Sequence, residues 1–351
     1  MKSSLKAICL VFCLSSLLFF TASCAKETPQ SSFSGFAFNT FYDFTVYGEH
    51  TKTHSDIKEE LASLEHIFSV TDRDALLAVF NESDERTLAV TDRHLAQCLK
   101  GALDYARITE GAFDLTLGTL RELWQIADAS APIPTPEEIA FALAHTGYSL
   151  VSYDEETGIF TRNDTALRLD LGGIAKGYAV EELALMLQHS GASGGIMDFG
   201  GTITVFGEKP DGTDFRIGIR SPYEKGGSAG YVTIRSDAVP VTVSVSGLYE
   251  RFKEIDGITY THIFDSATGY PLPTETENPD ALLSAAVISK SGAQSDALST
   301  ALLVMGKEKA LAFCAEYAET LQFSAVLFGA DGEVTVRGAI DYAPLTQKGN
   351  S

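Results

Sequence analysis

Residues 170–182, Asp-Leu-Gly-Gly-Ile-Ala-Lys-Gly-Tyr-Ala-Val-Glu-Glu, leave this chain few ways to fold. An acid at the end of an extended segment is followed by paired glycines. Apolar residues then recur at helical spacing (Ile174, Tyr178, Leu183, Met186, Leu187), and Gly191 is a stop signal. Glycines let a backbone come close to a ligand, and the free N–H groups of a helix start favour an anion, so Gly172, Gly173 and Lys176 suit a phosphate. A purely structural strand-to-helix turn has the same spelling. Residues 291–306 are again helical in pattern, and there Asp296 and Thr300 stand four apart on one face. A carboxylate and a hydroxyl suit Mg²⁺, which keeps waters and takes its other ligands from substrate phosphates. Taken alone, the pair reads as a solvated helix acid and a core-facing threonine. Taken together, the two stretches ask for a metal-bound diphosphate.

That demand meets an unfavourable overall charge. The formal net charge is -21, which argues against a nucleic-acid partner, because phosphate backbones are held by Lys and Arg patches. An anionic ligand must therefore be held locally, by a cation or by backbone dipoles. At 351 residues the chain can bury a large core, as one domain or two.

The N-terminus reads as a targeting segment. Lys2 and Lys6 form a positive start, residues 7–20 are an apolar run too short to span a bilayer comfortably, and Thr21-Ala22-Ser23 leads to Cys24. This resembles a bacterial lipoprotein signal, with Thr21 where leucine is commonest; an ordinary secretory signal is the alternative. Residues 1–23 are thus expected to be removed, Cys24 lipidated, and residues 24–34 to form a tether, giving an exported protein anchored at the inner membrane and facing the periplasm. Residues 35–345 would be the folded domain and 346–351 a tail. Cys98 and Cys314 both lie in helical apolar patterns and are expected to be buried and unpaired.

Along the mature chain the patterns predict a strand over residues 36–47 and a helix capped by Ser55 with Ile57, Leu61, Leu64 and Phe68 inward. A second helix runs from Thr91 through Leu95, Leu99 and Ala106 to Gly111, and a third starts at Thr135-Pro136-Glu137-Glu138. Strands are predicted over 166–171, 196–205, 214–220, 230–235, 240–246 and 258–264, with a hairpin over 324–338 turned at Asp331-Gly332. Helices and strands alternate without a regular βαβ period, so the fold class is α+β, one unit with room for two lobes.

Walker and dinucleotide glycine patterns are absent from the sequence. Gly226-Gly227-Ser228-Ala229-Gly230 spells a hydrolase elbow, but a polar loop leads into a strand there, where the elbow needs a strand leading into a helix. His50 and His54 lie four apart in a polar run without further ligands. His262, between a strand and a turn, either presents a general base to a cleft or merely caps the strand. Residues 109–116 place an aromatic beside an acid after a tight turn; a ring-binding site and a plain helix C-cap explain Gly111 equally well.

Six motifs in one order then converge: Gly-Ala-Phe-Asp (111–114), Asp-Leu-Gly-Gly-Ile-Ala-Lys-Gly-Tyr-Ala (170–179), Asp-Phe-Gly-Gly (198–201), Ser-Gly-Leu-Tyr-Glu-Arg-Phe (246–252), His-Ile-Phe-Asp-Ser-Ala-Thr-Gly-Tyr-Pro (262–271) and Asp-Ala-Leu-Ser-Thr-Ala (296–301). Their succession resembles the ApbE-type FAD:protein FMN transferases. The resemblance implies a single ApbE-like α+β domain with largely antiparallel sheets and an active site in a cleft. It implies Mg²⁺-dependent cleavage of FAD with release of AMP, and attachment of FMN by a phosphoester to a threonine of exported acceptor proteins such as Rnf- and Nqr-type redox subunits. By position it puts metal ligands on Gly173 (through its carbonyl), Asp296 and Thr300. Flavin and adenosine contacts fall near Phe38, Thr71, Ala112, Phe113, Asp114, Asp170, Lys176 and Phe264, and a base on His262; Asp170 alternatively holds the turn.

Some residues depart from that pattern. Phe38-Asn39-Thr40 stands where Met-Gly-Thr is usual, Thr202 where Asp or Asn is common, Ser266-Ala267 where Pro-Arg is usual, and Thr71 where many members carry Tyr. Losing the aromatic face at Thr71 is expected to weaken retention of FAD and to favour hydrolysis. The rival readings are an Mg²⁺-dependent FAD pyrophosphatase and a flavin-binding lipoprotein that does not turn FAD over.

Overall fold

The computed structural model describes residues 28–345 apart from 225, 236 and 275–277. The expected signal segment, Cys24 and the expected tail lie outside the described residues. Among those described, no helix is long and apolar enough to cross a membrane.

An eight-stranded antiparallel sheet carries the molecule, and its strands follow chain order: Gln30–Ala37, Thr40–Tyr47, Gly194–Phe199, Thr202–Gly207, Asp237–Gly247, Leu282–Ser289, Phe323–Gly329 and Val334–Arg337. Helices Ala175–His189 and Gly292–Tyr317 cover its inner face. A small sheet of Phe215–Arg220, Ser228–Ile234 and Asp341–Pro344 covers part of the outer face through Ile217, Val232, Val243 and Phe328. Strand Leu282–Ser289 is therefore buried from both sides. Its sequence therefore has no polar alternation to mark it as a strand.

Two predicted long strands are hairpins. Residues 36–47 break at Phe38-Asn39, where both φ values are positive (50° and 56°), and residues 196–205 break at Gly200-Gly201 (61° and 90°). These are the two-residue turns whose twist matches that of antiparallel strands. Gly200 carries the expected signal, whereas a phenylalanine in the left-handed region gives none. Residues 30–34, expected in the tether, are instead the first part of strand Gln30–Ala37, with Phe33 in the core. Residues 166–171 form no strand; Leu167, Leu169 and Leu171 are buried, and a single bridge joins Arg168 to Leu117.

The helices follow the apolar spacing closely, with shifted caps. His54–Phe68 is capped by a reciprocal Thr53/Asp56 pair and not by Ser55, and it buries Ile57, Leu61, Leu64 and Phe68. Arg93–Ile108 is capped by Asp92. Pro136–Ala144 has the expected Thr135/Glu138 box. Cys98 and Cys314 are buried and free, and burial pushes the Cys314 thiol up to about 11. His50 and His54 set their rings edge-on to Phe33, and Ser228 opens a strand with its hydroxyl donating to the carbonyl of Ile219.

One side chain ties several loops and helix ends together. Arg162, fully buried at the end of strand Ile159–Arg162, donates to the carbonyls of Glu85 (3.0 Å), Leu167 (2.8 Å), Phe80 (2.9 Å) and Ser83 (2.6 Å), and lies 4.2 Å over the Phe80 ring. Arg162→Met would leave those carbonyls dry. We expect it to lower unfolding free energy by about 3–5 kcal/mol, since hydrogen bonds to charged groups each contribute about 1.5–3 kcal/mol and do not add fully. A fall in the urea midpoint without a change of slope would show this.

Candidate active site

The site begins at a helix crossing. A Cβ on Gly177 would lie 2.0 Å from the carbonyl oxygen of Gly292, and one on Gly292 equally close to that of Gly177. Only a glycine pair lets helices Ala175–His189 and Gly292–Tyr317 approach so closely. Glu181 closes the crossing by accepting the Gly292 N–H at 2.7 Å, a cap supplied from the neighbouring helix. The long helix then bends at Gly306, whose φ is 74°, so its first segment ends where the sequence pattern ends it.

This crossing delivers Asp296, 4% exposed, to the start of helix Ala175–His189. Its Oδ2 accepts the Gly177 N–H at 3.1 Å and lies 3.6 Å from Lys176 Nζ. Its Oδ1 accepts from Ser244 Oγ at 2.9 Å and Thr202 Oγ1 at 3.5 Å. One turn on, Thr300 Oγ1 lies 3.0 Å from Ser246 Oγ, and a Cβ on Gly173 would be 3.9 Å from Thr300 Oγ1. Gly173, Asp296 and Thr300 are thus brought together by two segments far apart in the chain.

The glycine turn is braced from below. Asp170 pairs with Arg121 Nε at 2.6 Å and accepts the Gly172 N–H at 2.7 Å, and so braces the turn. Phe113 lies under Gly173, 3.1 Å from where its Cβ would be. Asp114 is buried and spends its oxygens on Thr116 N–H, Thr116 hydroxyl and Tyr148 N–H, at 2.8, 2.7 and 2.8 Å. Burial raises its pKa, and those bonds oppose the shift.

These residues wall a chamber of about 1160 Å³ that also takes in Thr71, Ala112, Lys176, His262 and Phe264. Thr71 is exposed, its N–H bonded to Ser69 Oγ. Phe38 points elsewhere: it packs between the rings of Phe68 (6.4 Å) and Phe199 (5.4 Å), and its neighbour Asn39 forms the wall. A second chamber of about 970 Å³ adjoins the first, and Asn39, Gly172, Lys176, Gly200, Val245, Glu250, Arg251 and His262 border both.

His262 stands at this waist on strand Ile258–Phe264, whose small sheet is held over Trp124 by the Trp124 Nε1–H to Gly269 carbonyl bond of 2.9 Å. Its Nδ1 lies 3.1 Å from the Arg251 carbonyl. A carbonyl can only accept, so Nδ1 carries the proton and Nε2 keeps its lone pair. Burial, with the charges of Arg251 and Lys176 adding to it, holds His262 down to about 4 against the pull of the carbonyl. The imidazole is therefore neutral at ordinary pH. Glu250 lies inside the Ser-Gly-Leu-Tyr-Glu-Arg-Phe motif, yet nothing in the spacing of that motif marks it as a cleft residue. Exposed to the cleft yet closely surrounded by protein, Glu250 has its carboxyl raised by desolvation, while Lys176, Arg220 and Arg251 oppose the rise.

Among the described residues no cluster of three or more His, Cys, Asp or Glu could hold a metal by itself. The donors that do converge are hard oxygens, the Asp296 carboxylate and the Thr300 hydroxyl, with the Gly173 backbone beside them. This set fits Mg²⁺, which commonly uses one or two carboxylates and completes its shell with water and phosphate.

Residues 38–325 match the model of the ApbE family. The chain belongs to that family. Among ApbE relatives, the FAD:protein FMN transferase of Haemophilus influenzae is 30% identical over 83% of this chain and 85% of its own length. The Vibrio cholerae transferase of the same name is 31% identical over 85% and 88%. The ApbE protein of Thermotoga maritima superposes with a TM-score of 0.77 at 28% identity, covering 89% of this chain and 97% of that one. The flavin transferase ApbE of Vibrio cholerae does so with a TM-score of 0.74 at 26% identity, covering 91% and 98%. The antiparallel α+β architecture with its cleft is thus the ApbE fold, and all the cleft residues named as metal, flavin or base candidates fall within the family match.

Proposed function

We propose that the chain is an Mg²⁺-dependent FAD:protein FMN transferase that splits FAD, releases AMP and joins FMN through a phosphoester to a threonine of exported acceptor proteins, of the Rnf and Nqr redox-subunit type. The transferase activity itself rests on the family and its named relatives. The observation that carries the finer reading is the meeting of Gly173, Asp296 and Thr300 with a neutral His262 around one chamber. At about 1160 Å³ that chamber lies just above the usual range of ligand clefts, about 300–1,000 Å³, which suits a dinucleotide.

Asp296, Thr300 and the Gly173 carbonyl would hold Mg²⁺, which supplies neutralisation of charge on the phosphate oxygens. The glycine turn and Lys176 take the diphosphate, and Phe113 and Phe264 offer apolar wall to its rings. The acceptor hydroxyl oxygen attacks the phosphorus of the FMN half. Its proton passes to His262 Nε2, and the bond to AMP breaks with the electron pair leaving on AMP. Lys176 and Arg251, whose charges add to the depression that burial imposes on His262, both line this chamber, where an anionic ligand would meet them. We further propose that the protein is exported and tethered through Cys24.

The test is an intact-mass measurement. Residues 25–351, FAD, Mg²⁺ and the soluble domain of an Nqr-type subunit should give an acceptor heavier by one FMN residue, and chelation should abolish the gain. Free FMN and AMP without labelled protein would mean the pyrophosphatase. Intact FAD would mean a binding protein. Thr71 lines the chamber without an aromatic face, so Thr71→Tyr should tighten FAD by about fivefold, the equivalent of about 1 kcal/mol of stacking, and reduce hydrolysis. Equilibrium dialysis and FMN release would show whether both change.

A further inference from the structure

We propose that the second chamber is the docking site of the acceptor protein, which enters as an extended segment laid along the open edge of the large sheet with its hydroxyl turned towards His262. This rests on the transferase reading above. A phosphoryl transfer brings the nucleophile to phosphorus roughly opposite the leaving group, so the acceptor needs an approach of its own. The first chamber holds the phosphate and metal features, and the second meets it at Lys176, Glu250, Arg251 and His262. A hydroxyl arriving through the second chamber reaches the base without crossing the nucleotide.

The walls of this chamber are suited to a peptide. Ser34, Phe36, Phe41 and Asp43 share the outer face of the first hairpin, because Phe36 pairs with Phe41 and Ser34 with Asp43. The rings of Phe36 and Phe41 stand 5.2 Å apart, edge to face, and are 59% and 78% exposed. An exposed aromatic pair at the mouth of a reaction cleft is an anchor for an apolar side chain.

The backbone offers a second handle. Among the described residues, strand Gln30–Ala37 pairs only with Thr40–Tyr47 and so forms an edge of the sheet. The two-residue turn closes on the pair Ala37 and Thr40. Antiparallel alternation therefore turns the main-chain N–H and C=O groups of Ser34 and Phe36 outward. Edges of soluble proteins are normally blunted by lysine, proline or a bulge; this one carries Ser32, Ser34 and Phe36 in regular register. An added strand from the acceptor would satisfy the outward groups and run beside the aromatic pair into the waist, a known mode of peptide capture.

The experiment measures transfer kinetics with the soluble domain of an Nqr-type subunit as probe. The double variant Phe36→Ser, Phe41→Ser should raise KM for the acceptor at least about tenfold, while FAD affinity in the absence of acceptor stays within about twofold. Ser34→Pro removes one outward N–H and should raise the acceptor KM in the same way. An unchanged acceptor KM in both variants would overturn the proposal. So would sedimentation showing that the wild-type chain self-associates through this edge while acceptor kinetics ignore the substitutions. A wild-type chain that cleaves FAD and labels no acceptor would instead overturn the transferase reading itself.

Discussion

Asp296→Asn is expected to fold normally and to transfer FMN at no more than about one-thousandth of the original rate, the scale of loss when one preorganised group stabilising transition-state charge is removed. Asparagine keeps the size of the side chain and an oxygen that can accept from Gly177 N–H or Ser244 Oγ, so the helix crossing should survive. What disappears is the negative charge buried at 4% exposure where the metal is proposed to bind. Lys176, then without its counter-charge at 3.6 Å, has a side chain still 22% exposed, and water can solvate it. Calorimetric titration should show Mg²⁺ binding lost in the presence of FAD, with the thermal midpoint little changed. Transfer at the wild-type rate would remove Asp296 from the metal site.

His262→Ala should be nearly as damaging to rate and nearly silent in binding. A positioned acid or base contributes about 100- to 10,000-fold, whereas in the function proposed above FAD would be held chiefly by the glycine turn, the metal and the aromatic walls. The pH profile supplies the sign. Base catalysis needs the neutral imidazole, and burial holds His262 down to about 4. The profile of kcat/KM should therefore stay flat through neutrality and fall only as pH descends through about 4. In the variant that limb should vanish, and added imidazole should restore part of the rate. A limb near the ordinary histidine value, or a variant with unchanged kinetics, would return His262 to a strand-capping role.

The parts of this protein that could be read from sequence are those whose physics is local. Helix His54–Phe68 announces itself by Ile57, Leu61, Leu64 and Phe68, and Pro136–Ala144 by its reciprocal cap. The pairing of the glycine turn with Asp296 and Thr300 was also readable, because each residue type implies its own ligand chemistry. The waist was not. Glu250 and Ser244 acquire meaning only when strand Asp237–Gly247 and its loop lie beside Lys176 and Asp296, and no spacing in the sequence encodes that. Phe38 shows the reverse: a motif position suggested ligand contact, while its ring sits among Phe68 and Phe199. Strand Leu282–Ser289 hid because burial on both faces erases alternation, and the first hairpin hid because its turn carries a phenylalanine at φ 50°.

The crossing of Gly177 and Gly292 also sets the order in which the protein becomes an enzyme. A ribosome that has released residues 28–290 has delivered the glycine turn, His262 and six strands of the large sheet. It has not delivered the acid, because Asp296 comes 119 residues after the N–H it accepts from. Competence for FAD, and for the proposed metal, should thus arrive late and abruptly during synthesis, when the last long helix seats against its partner. A chain stalled or truncated before that helix would be a largely formed scaffold without catalytic power.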